Sequence, residues 1–514
     1  MCPQTNKPAA YDPQPPRPEW GIRPPTRKTG SLKLPILEAS PPRWVVIPIE
    51  QCLGVSARAI VTPGQHVLTG EPIAQADSVT GTDPGPKLHA SISGEVIGIE
   101  NNMVPGTSAH REPCIVIRSD GKDETYSEYK NLGDPLQMDA GKICTLIAEA
   151  GIVGLGGALF STAAKLQNSS GIRMLILNGA ECEPYITCDE MLLRERARKV
   201  ARGAQIMMRA LGAPDTVIAI ESDMPEARVA IYDAIEELGD DRIHESVVTA
   251  KYPAGGERQI IQLVMGEEVP EGSLPNDIGY VCHNVATAAA IAEFFDEGRP
   301  LISRIVTVTG GGIETARNVD VRIGTIMADL FELIGGYYDV SSHLIMGGPM
   351  MGVCLPNDEL PVTKATNCLI IMKSRELSPP RQEMPCIRCG ECNQVCPAQL
   401  LPQELLTASK QHDMEALDTL GLNACIECGC CDYVCPSYIP LTAQFTSTKL
   451  EFRAHESGMQ RAAHARERYE ARASRLQQEQ AERDKQLQEQ VDAVSGTDSI
   501  DAVMKRVASR DKKP

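Results

Sequence analysis

The segment Cys386-Ile-Arg-Cys389-Gly-Glu-Cys392-Asn-Gln-Val-Cys396-Pro397 has the spacing C-x2-C-x2-C-x3-C-P, and Cys425-Ile-Glu-Cys428-Gly-Cys-Cys431-Asp-Tyr-Val-Cys435-Pro436 repeats it. In this register three thiolates of one loop cap three corners of a cubane, while the fourth Cys, turned away before its Pro, reaches a second cubane. The duplication therefore predicts two 4Fe-4S clusters with crossed ligation. One cluster takes Cys386, Cys389, Cys392 and Cys435, and the other takes Cys425, Cys428, Cys431 and Cys396. A pair of zinc knots is the competing reading, but zinc needs neither this register nor its repetition. Cys430 is off register and is expected to pack as a small hydrophobe. Cysteines 2, 52, 114, 144, 182, 188, 282, 354 and 368 share no ligand spacing and read as ordinary buried thiols.

The rest of the chain must supply something that exchanges single electrons with such clusters. Its 514 residues are enough for about three or four domains. With 50 Lys+Arg against 68 Asp+Glu the formal charge is -18, so nucleic acid is excluded as a partner by the chain's own field. The N-terminal sequence MCPQTNKPAAYDPQPP has no charged region followed by an apolar run, so a secretory leader is not expected and the thiols are expected to stay reduced inside a cell. No apolar stretch reaches about 18 residues, so any membrane link is expected to come through a partner or a surface.

Residues 1–42 carry eleven prolines and read as an extended arm that lies on something. Residues 43–120 alternate short β-rich runs with turn signals, which predicts a small all-β module. Over 136–300, helical periods alternate with β-branched runs, the pattern of an α/β layered domain. Residues 303–350 predict a ββαβ module, 376–445 hold the cysteine block, and 446–514 form a charged tail. The tail is expected to be helical to about residue 492, since it has one Gly and no Pro there, with a frayed end. It contains no ligand residue, so a cut after about residue 450 is expected to spare the redox sites.

Within the α/β region, Gly151-Ile-Val-Gly154-Leu-Gly156-Gly157-Ala-Leu-Phe160 places bare backbone ahead of a helix carrying Lys165, a loop able to approach a phosphate. Closing a turn is the plainer use of such glycines. Downstream, Asn178-Gly-Ala-Glu181-Cys-Glu183-Pro184-Tyr185, Tyr252-Pro-Ala-Gly255-Gly256-Glu257 and His283-Asn284-Val285-Ala-Thr287 put polar groups where an α/β sheet presents ligands. Glu181 and Glu183 also admit a reading as solvated helix-end charges.

Taken in order, these segments resemble the flavoprotein subunit of respiratory complex I, which binds FMN and NADH. That resemblance implies that Gly154, Gly156, Gly157, Lys165, Asn178, Glu181 and Asn284 hold FMN, and that Phe160, Glu183 and Tyr252 lie nearer the nicotinamide of NAD(H). The turns around Pro63-Gly64, Gly70 and Gly94 resemble a biotinyl/lipoyl-like barrel-sandwich, although Lys87 sits too close to the Gly94 strand to be a modifiable hairpin Lys. Residues 303–350 match a ubiquitin-like β-grasp module of the SLBB type.

The order barrel-sandwich, flavin domain, β-grasp, two-cluster ferredoxin-like helical domain and charged helix resembles the RnfC/RsxC family of the Rnf electron transport complex. Lys251-Tyr-Pro-Ala-Gly-Gly, Glu181-Cys-Glu-Pro-Tyr-Ile, Ile345-Met-Gly-Gly-Pro and both cysteine motifs carry the likeness, and the arm departs from it in having Arg23 where the family usually has His. The family implies a peripheral subunit on the cytoplasmic face of the plasma membrane, joined to integral and ferredoxin-like partner subunits. It also implies electron exchange between NADH and ferredoxin, coupled in the whole complex to Na+ or H+ movement. The flavin subunit of a soluble hydrogenase or formate dehydrogenase is a rival reading, disfavoured by the two-cluster block and the barrel-sandwich. A cluster-only electron-wire adaptor is a second.

Overall fold

The structure, a computed structural model, describes residues 18–78, 81, 85–106, 110–338, 341–377, 381–496 and 500–510. Residues 1–17 of the arm, Cys2 and the last four residues of the tail lie outside the described residues.

The described part of the arm is a packed strap: Trp20 and Ile22 are 6 % exposed and Ser31 is fully buried. It ends in β1 (Leu37–Glu38). The first module then runs through β2 (Trp44–Pro48), β3 (Ala57–Ala59), β4 (His66–Val67), β5 (Pro72–Ala76), β6 (Lys87–His89), β7 (Gly94–Val104) and β8 (His110–Ser119). These form two sheets, β2-β8-β7-β4 and β3-β5-β6, around Val45, Ile47, Val67, Ile73, Leu88, Val96, Ile115 and Ile117. Lys87 lies on β6 and pairs with Glu149, so it is a structural cation and not the tip of a hairpin.

The α/β domain contains α1 (Ala140–Glu149), α2 (Thr162–Gln167), β9 (Met174–Gly179), α3 (Cys188–Glu195), α4 (Ala197–Leu211), β10 (Thr216–Glu221), α5 (Pro225–Leu238), β11 (Ile243–Val248), α6 (Glu257–Met265), β12 (Tyr280–Asn284) and α7 (Val285–Glu297). Its four strands are parallel in the order β11-β10-β9-β12. The strand period of two divides the sheet between two cores. Leu175, Leu177, Ile218 and Ile220 pack with α1, α4, α5 and α7, while Ile176, Val217 and Ala219 pack with α6 and with Trp20 of the arm.

The next module contains β13 (Ser303–Thr309), β14 (Arg317–Arg322), α8 (Met327–Leu333), β15 (Ser341–Met346), β16 (Val353–Leu355) and β17 (Cys368–Lys373). The sheet that contains the expected ββαβ module over 303–350 extends beyond it. The sheet order is β1-β14-β13-β17-β15-β16, so β17, beyond that boundary, is a central strand parallel to β13, and the arm supplies an edge. The Pro- and Asn-containing linker after Leu355 hides this return in the sequence.

The cysteine block has short helices α9 (Glu391–Val395), α10 (Pro402–Gln411), α11 (Met414–Thr419) and α12 (Cys430–Val434), followed by α13 (Leu441–Gly496) and α14 (Ile500–Arg510). The expected frayed end is replaced by α14. The helix of the tail also starts earlier than 446, and its first turns belong to the cysteine block. Leu441, Phe445 and Phe452 are 1–3 % exposed in the core with Leu405, Leu417 and Leu422, and Lys449 Nζ donates to Cys425 O and Glu427 Oε1.

A cut after residue 450 would therefore remove Phe452 from a packed core. Ending the chain after Gly458 should leave iron content and the melting temperature unchanged. Ending it after Pro440 should destabilise the cysteine block by several kcal/mol, since losing one buried Phe side chain costs about 3–5 kcal/mol. Thermal unfolding and iron analysis of both truncations check this.

Candidate functional site

The strands β9, β10 and β11 follow one another to one side, and β12 then returns to the other side of β9. Strand order thus reverses between β9 and β12, a point at whose strand carboxyl ends parallel α/β sheets bind ligands; here the helices that follow the two strands, α3, α4 and α7, pack together on one face. Asn178 and Asn284 are paired in register there. The Asn178 side chain donates to Gly255 O at 2.8 Å and accepts from Ala180 N. Asn284 caps α7 by accepting from Ala286 N and donates to Asp189 Oδ2 at 2.6 Å.

The glycine loop reaches the same point. Gly154 N donates to Phe160 O and Leu159 N to Gly154 O, closing the loop at its base. At its tip Gly156, Gly157 and Ala158 are exposed, and among the described residues their N-H groups have no hydrogen-bond partner. A Cβ on Gly156 would lie 3.3 Å from the Asn284 Cβ, so this backbone passes directly over the start of α7. Gly157 has φ +102 with open space above it, a conformation that favours glycine. Three free N-H groups beside the amino end of a 13-residue helix fit an anionic phosphate. The sequence assigned that role to the helix after the loop, but α2 has only six residues. Lys165 on α2 is held by Glu257 Oε1 at 2.6 Å and Cys282 O at 2.7 Å, and Phe160 is 37 % exposed at the loop's edge.

The acidic residues are not solvated helix-end charges. Glu181 is 6 % exposed and accepts from Asp189 N and Glu190 N at the start of α3. Glu183 accepts from Met350 N and Met351 N, which ties the β9 loop to the segment after β15. Burial pushes both carboxyls up to about 7, against the Lys28 charge and those backbone donors. Lys28 of the arm, a residue with no signal in the sequence, enters this cluster. It is 7 % exposed, donates to Glu181 O and lies 3.9 Å from Glu221 Oε2. Burial lowers its pKa, but Glu181, Glu221, Glu190 and Asp223 outweigh that and raise it.

Tyr252 does not line an open surface at these strand ends. It is 1 % exposed, exchanges backbone hydrogen bonds with Ile22, and its hydroxyl donates to Cys428 O at 2.7 Å. Gly21 N donates to Val395 O beside it. The arm and Tyr252 thus join the α/β domain to Cys428 of the second cysteine motif and to Val395, next to Cys396 of the first.

Each cysteine motif bends alike: Arg388, Gly390 and Gln399 have positive φ, and so do their counterparts Glu427, Gly429 and Tyr438. One cavity is lined by Cys386, Cys389, Cys392 and Cys435, and another by Cys396, Cys425, Cys428 and Cys431. Leu400 N donates to Cys396 Sγ and Glu427 N to Cys425 Sγ, both at 3.4 Å. Four sulfurs around a small cavity, with amides directed at sulfur, suit a cluster held by thiolates. Cys430 also lines the second cavity but is fully buried beside Ile22 and Tyr252. Not all remaining cysteines are ordinary buried thiols: Cys354 is exposed, Cys182 Sγ accepts from Gly255 N, and Cys188 Sγ donates to Glu181 Oε1.

Comparison with known proteins gives three family matches: the RnfC barrel sandwich hybrid domain over residues 18–122, the Nuo51 FMN-binding domain over 147–293, and the SLBB domain over 305–353. The C subunit of the ion-translocating oxidoreductase complex of Pseudomonas aeruginosa is 42 % identical over 465 residues, covering 90 % of this chain and 59 % of that protein. Its counterpart in Serratia proteamaculans is 39 % identical, covering 96 % of this chain and 70 % of the relative. That in Vibrio cholerae is 38 % identical, covering 95 % and 64 %. The chain thus spans 59–70 % of the length of these relatives. Among solved structures, an NAD+-reducing [NiFe]-hydrogenase in the H2-reduced state aligns with a TM-score of 0.45 and 17 % identity over 63 % of this chain and 62 % of that one, too distant to bear on function.

The buried acids generate a pH dependence. Burial pushes Glu221 up to about 8, with Lys28 opposing and Asp223, Glu181 and Glu190 adding. Between the unfolded value of about 4.3 and this one, the folded chain keeps a proton that the unfolded chain releases. The stabilisation is complete below the unfolded value and is lost as pH rises towards 8. The melting temperature of the native chain should therefore fall between about pH 6 and pH 8.5, and that of Glu221→Gln should fall less, by roughly several degrees. Equal slopes in the two proteins would contradict the assignment.

Proposed function

The chain belongs to the family formed by the C subunits of ion-translocating oxidoreductase complexes, and on that premise we propose that it is the NADH-interacting flavin and iron-sulfur subunit of an Rnf-type complex. In this reading it passes electrons between NADH and ferredoxin, and the assembled complex couples their flow to Na+ or H+ translocation. The observation that carries the proposal is the meeting of Gly156 with Asn284 at the strand-order reversal, in a domain whose Tyr252 hydroxyl contacts the Cys428 carbonyl. The domain proposed to hold the flavin is thus joined to the second thiolate set through the buried Tyr252.

FMN supplies, when bound, the exchange between a two-electron hydride donor and one-electron carriers. The chain's residues hold and orient it. The free N-H groups of Gly156, Gly157 and Ala158 receive the phosphate at the start of α7. Asn178 and Asn284 stand beside it, and Phe160, exposed at the loop edge, is assigned to the nicotinamide. Glu181 and Glu183 brace the segment after β9 by accepting backbone hydrogen bonds from the start of α3 and from the segment after β15. No general acid or base is needed for hydride transfer. Cys386, Cys389, Cys392 and Cys435 hold one 4Fe-4S cluster in a ferredoxin-like domain, and Cys425, Cys428, Cys431 and Cys396 hold the other. No helix among the described residues is long and apolar enough to cross a membrane. A peripheral place on the cytoplasmic face, against integral and ferredoxin-like subunits, completes the proposal.

Flavin content tests it. The purified native chain should carry FMN that NADH bleaches, and Gly156→Val, whose branched side chain must displace Asn284, should lose FMN while keeping its iron. Iron without flavin in the native chain would mean a cluster-only wire. Crossed ligation is tested separately: Cys435→Ala should alter the paramagnetic signal of the cluster held by Cys386, Cys389 and Cys392, Cys396→Ala the other, and Cys430→Ala neither. If Cys435→Ala and Cys425→Ala damage the same centre, each motif closes on its own cluster.

A further inference from the structure

The glycine loop is clamped from behind by two buried cations that the sequence did not single out. Arg304, the second residue of β13, is 5 % exposed, and Lys364, just before β17, is 2 % exposed. Neither makes an ion pair among the described residues; their side chains donate to backbone carbonyls, and the Lys364 N-H donates to Gln51 Oε1. Lys364 Nζ donates to Gly151 O at 2.7 Å, at one end of the loop. Arg304 Nη1 donates to Lys364 O, and Arg304 Nη2 donates to Leu155 O at 2.9 Å, just before the tip. Leu155 is held on its other side too, because its N-H donates to Thr287 Oγ1 at 3.0 Å.

The Leu155 carbonyl and the Gly156 N-H belong to one planar peptide and point in opposite directions. A guanidinium fixed on the carbonyl therefore turns the Gly156 N-H outward, towards the exposed tip, and polarises it. The cation also lies beneath that tip in a medium that screens it weakly. A buried guanidinium costs desolvation unless something repays it. Two carbonyls repay part, and Asp189, the acidic group acting on it together with the Cys188 thiol, is itself engaged by Asn284.

We infer that Arg304, contributed by the β-grasp module, is a positioning residue for the phosphate monoester of the flavin, aiming the Gly156 N-H at it and supplying positive potential beneath it. The inference rests on the flavin reading above and deepens it: the module does more than brace the α/β domain, because it makes the site select a phosphorylated flavin. Lys364 anchors the other end of the clamp and orients the carbonyl that receives Arg304.

The test compares FMN with riboflavin, which differs only in lacking the phosphate. The full chain is freed of flavin, and both ligands are titrated by quenching of flavin fluorescence. The native chain should bind FMN at least tenfold more tightly than riboflavin. Arg304→Gln should lower FMN affinity about tenfold while leaving riboflavin affinity within twofold. Arg304→Lys, which keeps the charge but reaches only one carbonyl, should lose severalfold and stands in if Arg304→Gln does not fold. A purely structural role would weaken both ligands in step, and that result, or an unchanged FMN to riboflavin ratio, overturns the inference. A native chain that binds flavin without preferring FMN overturns it while leaving the flavin reading intact. A native chain that binds neither flavin overturns that reading, and this inference with it.

Discussion

Lys28 is the charge on which the arrangement of modules depends. An ammonium buried at the carboxyl ends of β9 and β10 among Glu181, Glu190 and Glu221 is stable only because those acids surround it, and they in turn need it. Removing these carboxyls would leave the Lys28 charge stranded in a dry interior, and removing Lys28 would push their pKa values further up. The arm that carries Lys28 is therefore fixed across the open end of the parallel sheet. From there Trp20 covers the second sheet face, Ile22 pairs with Tyr252, Ser31 joins the buried network of Thr187, Thr307 and Asn318, and β1 edges the β-grasp sheet. One strap thus holds three modules in register.

That register is what an electron carrier needs. Electron exchange between the two proposed sites needs them close together, and the α/β domain and the second cysteine set are joined by buried groups. The Tyr252 hydroxyl meets the Cys428 carbonyl, Gly21 meets Val395, and Gln259 meets Pro397 O at 3.4 Å. By contrast Cys386, Cys389 and Ile387 of the first motif are exposed. The two cysteine sets therefore differ in setting: one is packed against the flavin-type domain, the other opens to the surface.

The grouping of the cysteines around two cavities was legible because the spacing repeats and crosses over at Cys396 and Cys435, and the order of modules because strand and helix periods differ. The glycine loop was legible as bare exposed backbone, but not the helix it meets: the sequence neighbour α2 is short, and the helix at the tip is α7, remote in the chain and brought there by strand order. β17 escaped notice because a central strand separated by a linker carries no local sign of its partners. Lys28, Glu221, Arg304 and Lys364 were illegible for a related reason. A charged residue announces burial only through the groups that tertiary structure brings around it, so Glu181 read equally well as a solvated helix end.

If flavin site and clusters form one path, electrons placed on the clusters must leave through the flavin to a nicotinamide. The direct measurement is to reduce the clusters of the loaded chain anaerobically, add NAD+, and follow NADH absorbance together with the paramagnetic signals of the clusters. The chain with FMN bound should form one NADH for every two cluster electrons lost, and the same chain stripped of FMN should form none. Clusters that stay reduced in the presence of FMN, or that discharge to NAD+ equally well without it, would contradict the path.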